Sequence, residues 1–62
     1  MDYIATFHDA EDNMTALVFE SQHKVGGYAV ALRDDDSGAL VGHTFHGFKS
    51  LDAAIAKAKE LI

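Results

Sequence analysis

The chain has no cysteine, no proline and no tryptophan, and it is short of bases, with five Lys and Arg against ten Asp and Glu. Without cysteine there is no disulfide staple and no thiolate metal site, and the redox compartment leaves no trace in the sequence. The net charge of −5 argues against direct binding to nucleic-acid backbones or anionic membranes and favours a basic partner. No apolar run approaches the roughly 18 residues a bilayer span needs, and no charged-then-apolar leader opens the chain. A cytoplasmic protein without membrane attachment is therefore expected. No internal repeat, low-complexity tract or linker divides the 62 residues, so residues 1–62 are read as one domain. A chain of this length buries only about 60% of the surface its unfolded form exposes, so each large apolar residue matters. Apolar residues at 48% and charged ones at 24% give globular rather than disordered composition.

The periodicity predicts strands over 2–8, 15–20, 28–33 and 39–45. In the first, Tyr3, Ala5 and Phe7 alternate with Ile4, Thr6 and His8; in the second, Leu17 and Phe19 alternate with Ala16 and Val18. Tyr28, Val30 and Leu32 alternate with Ala29, Ala31 and Arg33 in the third, while Gly42 weakens the fourth. Asp9-Ala10-Glu11-Asp12-Asn13 and Asp34-Asp35-Asp36-Ser37-Gly38 are turn sequences, the second with Gly38 free to take positive φ. Residues 21–27 are read as a polar loop ending in Gly26-Gly27.

The period then changes. Leu51, Ala54, Ile55, Ala58, Leu61 and Ile62 form one helical stripe behind Ser50, a good N-cap, with Asp52 in the first turn and Lys57, Lys59 and Glu60 expected to face water. Short connections favour an antiparallel meander. The expected fold class is α+β, a four-stranded antiparallel β-meander with one C-terminal helix packed on one face (ββββα). Its expected core is Tyr3, Phe7, Leu17, Phe19, Tyr28, Val30, Leu32, Val41 and Phe45 against the helix. The other face, with Ile4, Thr6, Val18, Ala29, Ala31, Leu40 and Thr44, is expected to be open and fairly apolar.

In an up-and-down meander the first and third connections share one end of the sheet. Asp9, Glu11, Asp12, Asp34, Asp35 and Asp36 should therefore gather there, relieved mainly by Arg33, with His23, Lys24 and Lys49 at the other end. Aspartate bends and caps backbone, so acidic turns are ordinary. Three in succession repel one another, however, and one would serve the turn. Carboxylates on a rigid scaffold can take the places of DNA phosphates in a basic groove, which makes these six residues the candidate partner-binding site.

Catalytic and metal chemistry find little support. His43 and His46 are three apart, which on a regular strand sends them to opposite faces. The aspartate run lacks both the sixth-position glycine and the distal glutamate of a calcium loop. Ser21, Ser37 and Ser50 are accounted for by turns or a cap, and no nucleophile elbow or phosphate-binding glycine loop is present. No enzyme activity, cofactor or metal is expected.

Two resemblances add to this reading. The opening Asp2-Tyr3-Ile4-Ala5-Thr6-Phe7-His8 and the closing Ser50-Leu51-Asp52-Ala53-Ala54-Ile55-Ala56-Lys57-Ala58 resemble the ends of the small HicB-type antitoxin domain. That likeness implies a sheet followed by a helix, and an antitoxin-like or regulatory domain that dimerises through its sheet face. In type rather than motif, a short acidic sheet-plus-helix chain with no catalytic signature resembles the phage-encoded anti-CRISPR proteins. It implies an inhibitor that covers a basic, nucleic-acid-binding surface of a host defence protein, a CRISPR effector in the first instance, and acts as a DNA mimic in the host cytoplasm. A basic-groove DNA binder of the βββα kind fits the charge poorly.

Overall fold

The computed structural model describes residues 3–21 and 27–62. Strands β1 (Ala5–Asp9), β2 (Met14–Glu20), β3 (Tyr28–Asp34) and β4 (Leu40–Phe48) are followed by helix α1 (Leu51–Leu61). The strands form one sheet in the order β1-β2-β3-β4, each pairing antiparallel with the next. This is the ββββα meander expected from the periodicity. The first strand starts later than expected, and β4 runs three residues further, to Phe48. His23, Lys24 and Gly26, assigned to the second connection, lie outside the described residues, as does Asp2.

Ser50 begins the helix as expected. Its backbone is extended (φ −134°, ψ 153°), and its side-chain oxygen accepts from the Ala53 amide at 3.2 Å, satisfying a donor the first turn leaves unpaired. Because β4 finishes at the end of the sheet opposite the acidic turns, α1 starts there and runs back across β3 and β2. Ala54 and Ala58 are fully buried where the helix meets the sheet, and their small side chains let the backbone come close. Around them pack Leu51, Ile55 and Leu61, while Ile62 is left exposed. Lys57 and Lys59 do not simply face water. Lys57 Nζ lies 4.7 Å from the centre of the Phe45 ring and Lys59 Nζ 5.5 Å from that of Phe7, so their ammonium groups cover aromatic faces.

The pairing register corrects the expected core. Ala5 faces Val18, Phe7 faces Ala16, and these in turn face Val30 and Leu32. Ala16, Val18 and Val30 therefore meet the helix, and Leu17 and Phe19 point to the other face. Tyr3 goes with them, its ring edge-on to Phe19 at 6.2 Å. The cause is visible in the sequence of β2: both alternating sets of Ala16-Leu17-Val18-Phe19 are apolar, so periodicity alone cannot fix the phase. Val41, in register with Leu32, remains 41% exposed and takes no part in the core.

The face away from the helix also departs from expectation. Leu17, Ala29 and Ala31 are no more than 2% exposed, and Thr15 beside them is buried too. The central strands are thus closed on both sides, and the broad open apolar face expected over Ala29 and Ala31 is not present. Exposure is concentrated at the margins, at Tyr3, Ile4, Leu40 and Val41. Strand β4 meets β3 through register shifts, with Gly42 (φ 67°) and Gly47 (φ 91°) in left-handed conformations that accommodate the extra residues.

Candidate functional site

The two acidic turns are neighbours. Met14 pairs with Asp9 on one side and with Asp34 on the other, so the connection through Glu11 and Asp12 lies beside the one through Asp35 and Asp36. Two bonds tie them directly: the Asp35 amide donates to the Asn13 carbonyl at 3.1 Å, and the Asn13 side-chain amide donates to Asp36 Oδ1 at 2.7 Å. Asn13 is left-handed (φ 52°), a conformation its short polar side chain tolerates. Lys49, just past β4, is at the far end.

Each aspartate of the run has a separate job. Asp34 closes its own turn, its amide donating to the Ala39 carbonyl at 2.9 Å, its carbonyl accepting from Gly38 at 2.7 Å and its Oδ1 accepting from the Asp36 amide at 3.0 Å. Gly38 takes φ 76°, as the turn requires. Asp36 holds Asn13. Asp35 folds inward over the sheet, where a polar row crosses three strands: His8 on β1 is paired with Thr15 on β2, and Thr15 with Arg33 on β3. Its Oδ2 accepts from Thr15 Oγ1 at 2.6 Å and lies 3.1 Å from His8 Nδ1; its Oδ1 accepts from Arg33 Nε at 2.9 Å. The Thr15 hydroxyl, followed by the Arg33 guanidinium, holds the Asp35 carboxyl below its ordinary value. With its side chain 18% exposed, Asp35 is a structural acceptor more than a presented charge.

On the other turn, Asp9 Oδ1 accepts from the Glu11 amide at 3.1 Å, an Asx-type closure. Glu11, Asp12 and Asp36 are exposed, and Asp9, Asp34 and Asp35 partly buried. The structure thus brings all six candidate acids to one end but divides them into inward, turn-building groups and outward ones. His8, Thr15 and Asn13 were not singled out by sequence reasoning. Their signal was available only through register, since His8 and Thr15 meet across a hairpin and Asp35 reaches them from the third connection.

Among the described residues, no group of three or more His, Cys, Asp or Glu side chains is placed to hold a metal ion, and no helix is long and apolar enough to cross a membrane. No family model, curated protein or solved structure matches the chain.

Proposed function

We propose that the chain is a non-enzymatic interaction protein that docks its acidic end on a basic, nucleic-acid-binding surface of another protein and blocks it, in the manner of the anti-CRISPR proteins it resembles in type. The observation that carries this reading is the cross-linking of the two turns through Asn13, Asp35 and Asp36, which joins the two acidic connections at one end of the sheet. A preset arrangement of charge steers association with a basic groove and loses little freedom on docking. Exposed charges are screened beyond about 8–10 Å at physiological ionic strength, so binding should weaken steeply with salt.

The experiment is a direct binding assay. An oligo-arginine peptide serves as the minimal basic surface, and the protein should bind it in a salt-dependent way while leaving duplex DNA unshifted. Glu11→Gln combined with Asp12→Asn should weaken that binding several-fold with unchanged folding. Equal peptide binding by this double variant at physiological salt removes the acidic-end mechanism. The alternative, dimerisation through the sheet face, draws no support from the closed positions Leu17, Ala29 and Ala31.

A further inference from the structure

The row of side chains beneath Asp35 contains a group that charge counting passes over. We infer that His8 is held as its Nδ1–H tautomer, so that Nε2 stands at the acidic end as a fixed lone pair that accepts a hydrogen bond from an arginine guanidinium of the partner. The arginine part of this inference rests on the docking reading above; the tautomer does not.

The argument is a count of hydrogens among three atoms in mutual contact. His8 Nδ1 is 3.1 Å from Thr15 Oγ1 and 3.1 Å from Asp35 Oδ2, and Thr15 Oγ1 is 2.6 Å from the same Oδ2. Asp35 as a carboxylate brings no hydrogen, and Thr15 brings one. The shortest contact, hydroxyl to carboxylate, takes it. Nδ1 is then surrounded by two acceptors, and a lone pair on it would face two others. Nδ1 must carry a hydrogen. Which ring nitrogen is protonated follows from the bond the other one makes, so the neutral ring keeps Nε2 bare. His8 is 51% exposed, and no described residue is bonded to Nε2. Arg33 is already engaged at Asp35 Oδ1, which fixes the carboxylate from its other side.

An acceptor of this kind suits a guanidinium better than an ammonium ion. Arginine presents five N–H donors in a rigid plane and can give one to a neutral imidazole while others reach a carboxylate, whereas lysine offers a compact point charge. Carboxylates are exposed at the same end, on Glu11, Asp12 and Asp36.

The test uses the full chain with 15N-labelled histidine and long-range proton–nitrogen NMR at about pH 8, where an ordinary imidazole is neutral. His8 is expected to show a protonated Nδ1 and a bare Nε2 in the isolated protein. A ring protonated mainly at Nε2 overturns the inference. Asp35→Asn, whose amide can donate to Nδ1, should move the population toward Nε2–H; if that variant fails to fold, Thr15→Val should still show Nδ1–H, held by Asp35 alone. Titration with oligo-arginine should then shift the Nε2 resonance, and His8→Phe should lower peptide affinity several-fold. Peptide binding that leaves His8 unmoved overturns its role in recognition while the acidic docking reading stands. An equal Nε2 response to oligo-lysine overturns the guanidinium assignment. A confirmed tautomer with no peptide binding removes both the recognition role and the docking reading.

Discussion

Asp35 accepts from Thr15 and Arg33 and lies against His8, so one carboxylate joins the third connection to β1, β2 and β3. Its value is lowered in the fold, which sets the sign of its effect on stability. The unfolded chain takes up this proton first as pH falls, so the contribution is whole above the ordinary carboxyl value of 3.8 and is lost as pH drops through the lower folded value. Circular dichroism across the acid range should therefore show a loss of structure that Asp35→Asn makes shallower, and an acid limb unaffected by that change would refute the assignment. Thr15→Val tests the same bond from its other end. Thr15 is 6% exposed, and valine keeps its shape while deleting the hydroxyl that does most to lower Asp35. We expect a loss of about 0.5–1.5 kcal/mol in urea unfolding, with the acid transition moved to higher pH. None of this could be read from the run of three aspartates, in which each residue looks equivalent. The hydrogen-bond partners distinguish them, and those partners are set by register.

At the scale of elements, sequence reasoning succeeded where one period was unambiguous. Ser50 and the stripe from Leu51 to Leu61 specified the helix, and Phe7 together with Tyr28, Val30 and Leu32 specified the inward face of β1 and β3. It failed for β2, whose buried run Thr15 to Val18 is closed on both faces and offers no contrast to read. It also failed for β4, where Gly42 and Gly47 insert register shifts that carry the strand past its expected end. The helix–sheet contact can be tested at Ala58, which is fully buried. Ala58→Leu places added methylenes where the helix lies closest to the sheet and should cost about 1–3 kcal/mol by overpacking; a neutral result would mean the helix can lift away without loss. Ser50→Ala removes the acceptor for the Ala53 amide and should cost about 1 kcal/mol, read as a lower thermal midpoint. At Gly38 a methyl group would meet nothing within 4 Å, so Gly38→Ala reports only the left-handed backbone, about 1 kcal/mol, with Asn tolerated better.

The whole molecule is anisotropic in charge because of its chain routing. Antiparallel strands return the first and third connections to one end, and six of ten acids collect there although 22 to 27 positions separate the two groups in sequence. The helix runs back toward the same end, so its C-terminal carbonyls add partial negative charge, with Lys59 in the last turn as a counterweight. A protein polarised in this way should be sensitive to where charge is removed, at constant total. Glu11→Gln with Asp12→Asn deletes two charges at the acidic end; Asp52→Asn with Glu20→Gln deletes two away from it. Both double variants carry the same net charge, so a partner attracted by overall charge would treat them alike. If the acidic end is the docking surface, the first pair should slow association with oligo-arginine several-fold more than the second at low ionic strength, and the difference should shrink as salt is added. Equal rates for the two variants at every salt concentration would show that position carries no information, and the alignment of the two turns would then have only its structural role through Asn13 and Asp35.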